Sequence, residues 1–214
     1  MRWRVFAVWC CCGPLAAAGA PLGNREIGAL CAQADDAAHC ARLIEQTQLK
    51  RLPGLARREG DSLLVTLFPQ GTATFTDRDD AINGRSYSLW DYIDGINAVL
   101  LYTTEGEKTS FTLVQRASNR RYELPTEPQL SPDRQWLATA DICGPRCSNE
   151  LALWRVSRDG VFKELTWSPD ADWIDASARW KDAETLVIEY SVGPAAASAT
   201  LERKLGDPSW KRAR

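Results

Sequence analysis

Two cysteines bracketing Gly-Pro, a single histidine and one dense run of acids are the residues with which this 214-residue chain could do chemistry. Cys143-Gly-Pro-Arg-Cys147 would be a redox dithiol if it opened a helix, because a helix N-terminus lowers a thiol pKa. Three residues separate the thiols and strand-like sequence lies on both sides, so the spacing predicts a disulfide that staples a loop. His39 is the one imidazole available to a triad or a metal, and it sits beside Cys40 in helical sequence. That predicts a helix-surface or packed histidine rather than a base. Asp77-Arg-Asp-Asp80 with Asn83-Gly84 offers oxygen ligands to calcium, but lacks the alternate spacing and closing glutamate of a calcium loop. A solvated turn is expected there.

Carboxylate pairs for glycoside hydrolysis could be assembled from Asp91, Asp94, Glu105 or Glu123, yet twenty-eight acids make such pairs easy to find. What matters is a separation of roughly 5–10 Å, which sequence does not report. None is assigned as catalytic. Phosphate-binding glycine loops, a serine nucleophile elbow and basic stripes are absent, so no cofactor, metal or nucleic acid is expected. Trp90 and Trp210 fall outside the repeat described below and are the candidate binding aromatics.

The start of the chain sets the compartment. Arg2 and Arg4 precede an uncharged apolar run from Val5 to Cys12, and Leu15 to Ala20 supplies small residues, the layout of a cleavable signal peptide over 1–20. Cleavage is expected after Ala18, with Ala20 the other choice. The run is short of the ~20 residues a spanning helix needs, so no transmembrane anchor is expected after cleavage. Removing Cys10, Cys11 and Cys12 turns seven cysteines into four, and removing Arg2 and Arg4 takes the net charge from −2 to −4. Four cysteines in an exported chain read as two disulfides.

The elements follow from caps and periodicity. Over 21–56, Asn24 can cap one short helix, and Asp35-Asp36 can cap a second that Pro53-Gly54 stops. In that second helix Cys40, Leu43 and Ile44 form the apolar stripe, with Arg42, Glu45 and Gln48 facing away. A continuous helix would hold Cys31 and Cys40 ~13.5 Å apart, beyond the ~7 Å a disulfide allows. Either the helix breaks and Cys31 pairs with Cys40, or both pair with the later cysteines; the caps favour the break, leaving Cys143 with Cys147. From 57 to 214 the sequence turns to eleven short β-branched or aromatic runs between Leu63 and Arg203, separated by turn dipeptides such as Glu105-Gly106 and Asp159-Gly160.

An internal repeat orders these strands. Leu130-Ser-Pro-Asp133 with Trp136-Leu137 returns as Trp167-Ser-Pro-Asp170 with Trp173-Ile174. A fainter copy relates Phe111 to Val114 and Arg121 to Leu124 with Leu151 to Trp154 and Phe162 to Leu165. Periods near 40 residues with about four strands each suit propeller blades. Leu130 to Ala138, Glu150 to Trp154, Arg158-Asp-Gly160 and Glu164 to Thr166 together resemble one blade of the bacterial WD40-like repeats of the Tol-system periplasmic propeller. That family carries glycine where Arg134 and Ala171 stand. The resemblance implies a scaffold that displays contacts.

The expectation is therefore a mainly β chain of propeller-like antiparallel repeats, three to four blades that are incomplete or sandwich-like, behind a short N-terminal helical hairpin. Its expected role is that of a non-catalytic binding or scaffold protein of the bacterial envelope, periplasmic or secreted, whose partner is a protein or an envelope polymer. The alternatives are a secreted carboxylate-dependent hydrolase acting on glycans and a small periplasmic inhibitor or immunity protein.

Overall fold

The computed structural model describes residues 22–80, 84–169, 173–193 and 197–213; the expected signal peptide, Asn83 and Ala171 lie outside them. Two helices, α1 (Asn24–Cys31) and α2 (Ala37–Arg51), form the expected hairpin, broken where Asp36 caps α2 by accepting from His39 N at 2.7 Å. The cap of α1 is Gly23 rather than Asn24, because Glu26 reaches back to accept from Gly23 N at 2.9 Å. Cys31 and Cys40 are bonded across the break with their Cα atoms 4.7 Å apart. Closing this nine-residue span contributes about 2–3 kcal/mol by restricting the unfolded chain.

The rest is antiparallel. β1 (Ala56–Glu59), β2 (Ser62–Thr66) and β3 (Thr72–Thr76) make the first sheet, and β4 (Arg85–Ile93), β5 (Ala98–Glu105), β6 (Lys108–Gln115) and β7 (Arg120–Leu124) make the second. The third holds β8 (Gln129–Leu130), β9 (Trp136–Asp141), β10 (Glu150–Ser157) and β11 (Gly160–Trp167). The fourth holds β12 (Asp175–Trp180), β13 (Thr185–Ser191) and β14 (Ala199–Lys204), after which β15 (Lys211–Arg212) returns to pair with β11. Apart from β15, strands follow one another in chain order within each sheet, and among the described residues no sheet closes into a barrel. The eleven runs read from sequence leave out β1, β7, β8 and β15, because Ala-Arg-Arg-Glu, Arg-Arg-Tyr-Glu-Leu and Lys-Arg carry little apolar alternation and β8 is only Gln-Leu.

Three apolar clusters join successive layers. Leu52, Leu63, Val65, Phe75, Leu89 and Leu101 unite the hairpin with the first two sheets. Leu100, Leu113, Leu124, Leu137 and Val161 join the second sheet to the third. Leu151, Leu153, Trp173, Leu186, Ile188 and Trp210 join the third to the fourth.

The open edge of β4 is the position the helices protect. Alternate residues of an edge strand present unpaired N–H and C=O groups. Here Arg85 pairs with the Arg78 backbone, Tyr87 N donates to Asp77 and Leu89 N donates to Glu45. Tyr87 O accepts from Arg42 and Arg58, and Trp90 O accepts from Gln48. Arg42, Glu45 and Gln48 stand three residues apart on one face of α2. The expectation that they face solvent is thus corrected for Glu45 and Gln48, which are buried with Ala41 and Ile44. An apolar-periodicity argument misses them because polar side chains seal the strand edge.

The phase of the repeat is also corrected. The second strands of the four sheets begin at Ser62, Ala98, Trp136 and Thr185. Before Trp136, Ser131 N donates to Trp136 O at 2.8 Å and Gln135 N to Asp133 at 3.1 Å. The matching turn of the fourth sheet is at Lys181 to Thr185, where Lys181 N donates to Thr185 O at 2.9 Å and Glu184 N to Asp182 at 2.8 Å. Ser168-Pro169, the second Ser-Pro-Asp copy by sequence, instead lies on the crossing from β11 to β12, with 170–172 outside the described residues.

Arg134 occupies the left-handed region, at φ 62°, which explains why glycine suits that position. Left-handed backbone costs a non-glycine residue ~1–2 kcal/mol, and glycine's looser unfolded chain returns ~0.4–1 of this. Arg134→Gly is expected to stabilise by about 0.5–1 kcal/mol, seen as a higher melting temperature; a drop would mean that the Arg134 stem packed over Gly95 matters more.

Candidate functional site

Most of the residues singled out for chemistry have structural duties. His39 is exposed on α2, with Nδ1 3.3 Å from both Asp35 Oδ2 and Asp35 N. Cys143 and Cys147 are bonded in the loop between β9 and β10, far in sequence from any helix start. Asp77 is committed to Arg42, Arg58 and Tyr87 N. It lines an open hollow of about 740 Å³ with Asp61, Asp79 and Asp80. Among the described residues no three metal-capable side chains are placed so that they could hold a metal ion, and no helix is long and apolar enough to cross a membrane.

The two candidate binding aromatics are not open surface. Trp210 is 9% exposed, with its indole N–H on Lys204 O at 2.8 Å and Arg203 across its ring. It closes the seam that β15 makes, so its assignment as a free aromatic is corrected. Trp90 is half-buried, stacked on Tyr102 at 5.3 Å and edge-on to Phe111 at 5.4 Å.

Trp90 nevertheless marks the place where unusual carboxylates gather. The register of β4 slips between Leu89 and Asp91, so Trp90 is the extra residue of a bulge. Bulges re-aim side chains, and this one turns Asp91 toward Gln48 of α2, whose Nε2 donates to it at 3.3 Å. The Trp90 side chain in turn lies beside the Glu127 carboxyl and favours its charged form. Glu127 lies between Pro125 and Pro128 on the link from β7 to β8, a segment that the two rings stiffen.

Asp91 and Glu127 share an electrostatic signature. Loss of water around each carboxyl pushes its pKa above the ordinary carboxylate range, and the Asp91 charge pushes Glu127 up further. Glu127 keeps an exposed outer side while its carboxyl is crowded by Trp90. The bonds accepted from the Tyr92 backbone and from Gln48, with the Arg51 charge, only partly offset the effect at Asp91.

Beside Glu127 opens a cavity of about 280 Å³. Its walls are Ala138 and Ala140 of β9, Ala176 to Ala178 of β12, and Asn24 at the start of α1. Thr126, Glu127 and Gln129 complete it, and Thr126 Oγ1 is closed to solvent with no hydrogen-bond partner. Asp91 stood among the acids that sequence brings forward; Glu127 did not, because a lone glutamate between prolines carries no pattern.

Comparison with protein-family models, with curated proteins and with solved structures finds no match. The site's chemistry therefore has to be argued from its own groups. Raised carboxyl pKa values have a direct consequence for stability. The native state binds these protons more tightly than the unfolded chain, so their contribution is greatest below about pH 4 and is lost as pH rises through the raised native values. Asp91→Asn is expected to raise the melting temperature at pH 7 by no more than a few degrees, with the gain vanishing at pH 3. Melts at both pH values test this, and equal shifts at the two would contradict it.

Proposed function

We propose that this chain is a non-catalytic binding protein of an oxidising compartment outside the cytoplasm, the periplasm or the medium, with a protein or an envelope polymer as its partner. In this reading the four meander sheets form an incomplete, propeller-like scaffold of the WD40-like kind. The observation that carries it is the run of four successive antiparallel meanders, each packed on the next through an apolar cluster, an arrangement suited to presenting loops and edges to a partner. Two disulfides support the compartment, since such bonds persist where thiols are not kept reduced. Crosslinking in intact cells followed by mass spectrometry without reduction tests both points. Capture of a defined partner by the disulfide-bonded chain is expected; a crosslink-free monomer overturns the reading.

One observation favours a second reading, hydrolysis by a carboxylate pair. Asp91 and Glu127 interact electrostatically and loss of water raises both, which suits either one to the general-acid role while the other would have to work ionised. A screen on cell-wall and polysaccharide substrates tests it: turnover abolished by Asp91→Asn and by Glu127→Gln supports it, and no turnover on any substrate sinks it.

A further inference from the structure

We propose that the cavity beside Glu127 holds a compact organic cation, a primary ammonium on an aliphatic stem of lysine side-chain size, with the Glu127 carboxylate as counter-ion. The inference rests on the binding reading above and names the group that the partner would present.

Three features of the cavity select that chemistry. The volume, about 280 Å³, suits one side chain rather than a sugar chain or a helix. Ala138 and Ala140 of β9 and Ala176 and Ala178 of β12 supply an apolar strip for an aliphatic stem within a lining that is otherwise polar, the division a lysine side chain has between stem and head. The remaining lining residues, Asn24, Thr126, Glu127, Gln129 and Ser177, all carry side-chain oxygens. An ammonium has three donors and no acceptor, so it is served by acceptors arranged around one point.

The charge balance points the same way. Most other carboxylates involved in close polar contacts here face a cation: Glu45 and Asp77 face Arg42 and Arg58, Glu105 faces Arg85, and Glu202 faces Lys181. Glu127 is joined to no described cation, and the charge nearest it is a second carboxylate, Asp91. The Glu127 neighbour Trp90 is neutral and leaves the carboxylate charge unbalanced, so an ammonium brought to the cavity supplies the missing opposite charge. Anionic ligands are repelled by the same pair.

The test is an amide NMR titration of the oxidised mature chain at pH 7 with Nα-acetyl-lysine methylamide, beside the neutral norleucine analogue. Saturable shifts at Ala138, Ala140, Ala176 and Ala178 are expected, with affinity at least ~10-fold weaker for norleucine, a difference of 1.4 kcal/mol. Glu127→Gln should weaken the lysine probe by a similar factor. Should that variant not fold, Ala178→Val, which narrows the cavity and leaves the carboxylate in place, should abolish the shifts. No saturable shift at millimolar probe, equal response to norleucine, undiminished binding to a folded variant, or the same shifts produced by calcium chloride would each overturn the proposal. Partner capture in cells together with a silent cavity would remove this inference and leave the binding reading standing.

Discussion

Glu45→Ala is expected to destabilise the protein by about 3 kcal/mol, lowering its melting temperature by roughly 6–12 °C. Glu45 is 1% exposed, and both its oxygens are occupied. Oε1 accepts from Arg42 Nη1 at 3.0 Å and Arg58 Nε at 2.9 Å; Oε2 accepts from Arg58 Nη2 at 2.7 Å and Leu89 N at 2.9 Å. Asp77 supplies the second carboxylate, so two acids balance two guanidinium groups. Removing one acid leaves an unbalanced cation and an unpaired N–H on β4, the two costs that make broken buried pairs expensive. Arg42 and Arg58 keep some exposure, at 28% and 17%, and can recover hydration, which places the loss at the lower end of the range for buried pairs.

A double-mutant cycle separates this network from simple loss of packing. Arg58→Ala removes the other half of the main contact, and the two losses should overlap by at least ~1 kcal/mol because they break the same bonds. Strict additivity in thermal melts would mean that Glu45 stabilises only by filling space. Glu45→Gln, which keeps an acceptor for Leu89 N, should cost less than Glu45→Ala. The contact spans α2, β1 and β4, so its loss also tests whether the hairpin is what holds the β4 edge closed.

Elements declared by local sequence were legible; those declared only by tertiary partners were not. The hairpin followed from Asp36 and a cysteine spacing that no straight helix satisfies. β3 was read at its observed bounds because Thr72 to Thr76 alternates cleanly. By contrast Glu45 and Gln48 read as solvent-facing, since charge and amide normally mark the wet side of a helix and nothing local reveals an unpaired strand edge opposite. Asp91 and Glu127 are 36 positions apart by their numbering, and a one-residue bulge at Trp90 sets how Asp91 faces α2. Bulges leave no reliable signature in sequence, so the coupled carboxylates could not be picked from the other acids.

The tryptophan repeat shows the same limit, and it yields the second large prediction. By sequence, Trp136 and Trp173 hold equivalent places after Ser-Pro-Asp and should matter equally. By structure they do not. Trp173 is 7% exposed, stacked on Tyr190 with centroids 3.8 Å apart and rings 7° from parallel, and edge-on to Trp167 at 5.5 Å. It stands on the crossing between the third and fourth sheets, where Ile174 N is bonded to Ser191 O at 3.0 Å. Trp136 starts β9, half-buried, with the Arg155 guanidinium 4.8 Å from its ring centroid. Trp173→Ala is therefore expected to cost about 3–5 kcal/mol through the cavity it leaves and the stacking it removes. Trp136→Ala should cost about 1–2 kcal/mol, from partial burial and a cation–π contact. Chemical denaturation of the two variants side by side decides between the readings: equal losses would restore the phase suggested by the sequence repeat, and a gap of about 2 kcal/mol or more would place the Trp173 side chain in the seam between sheets.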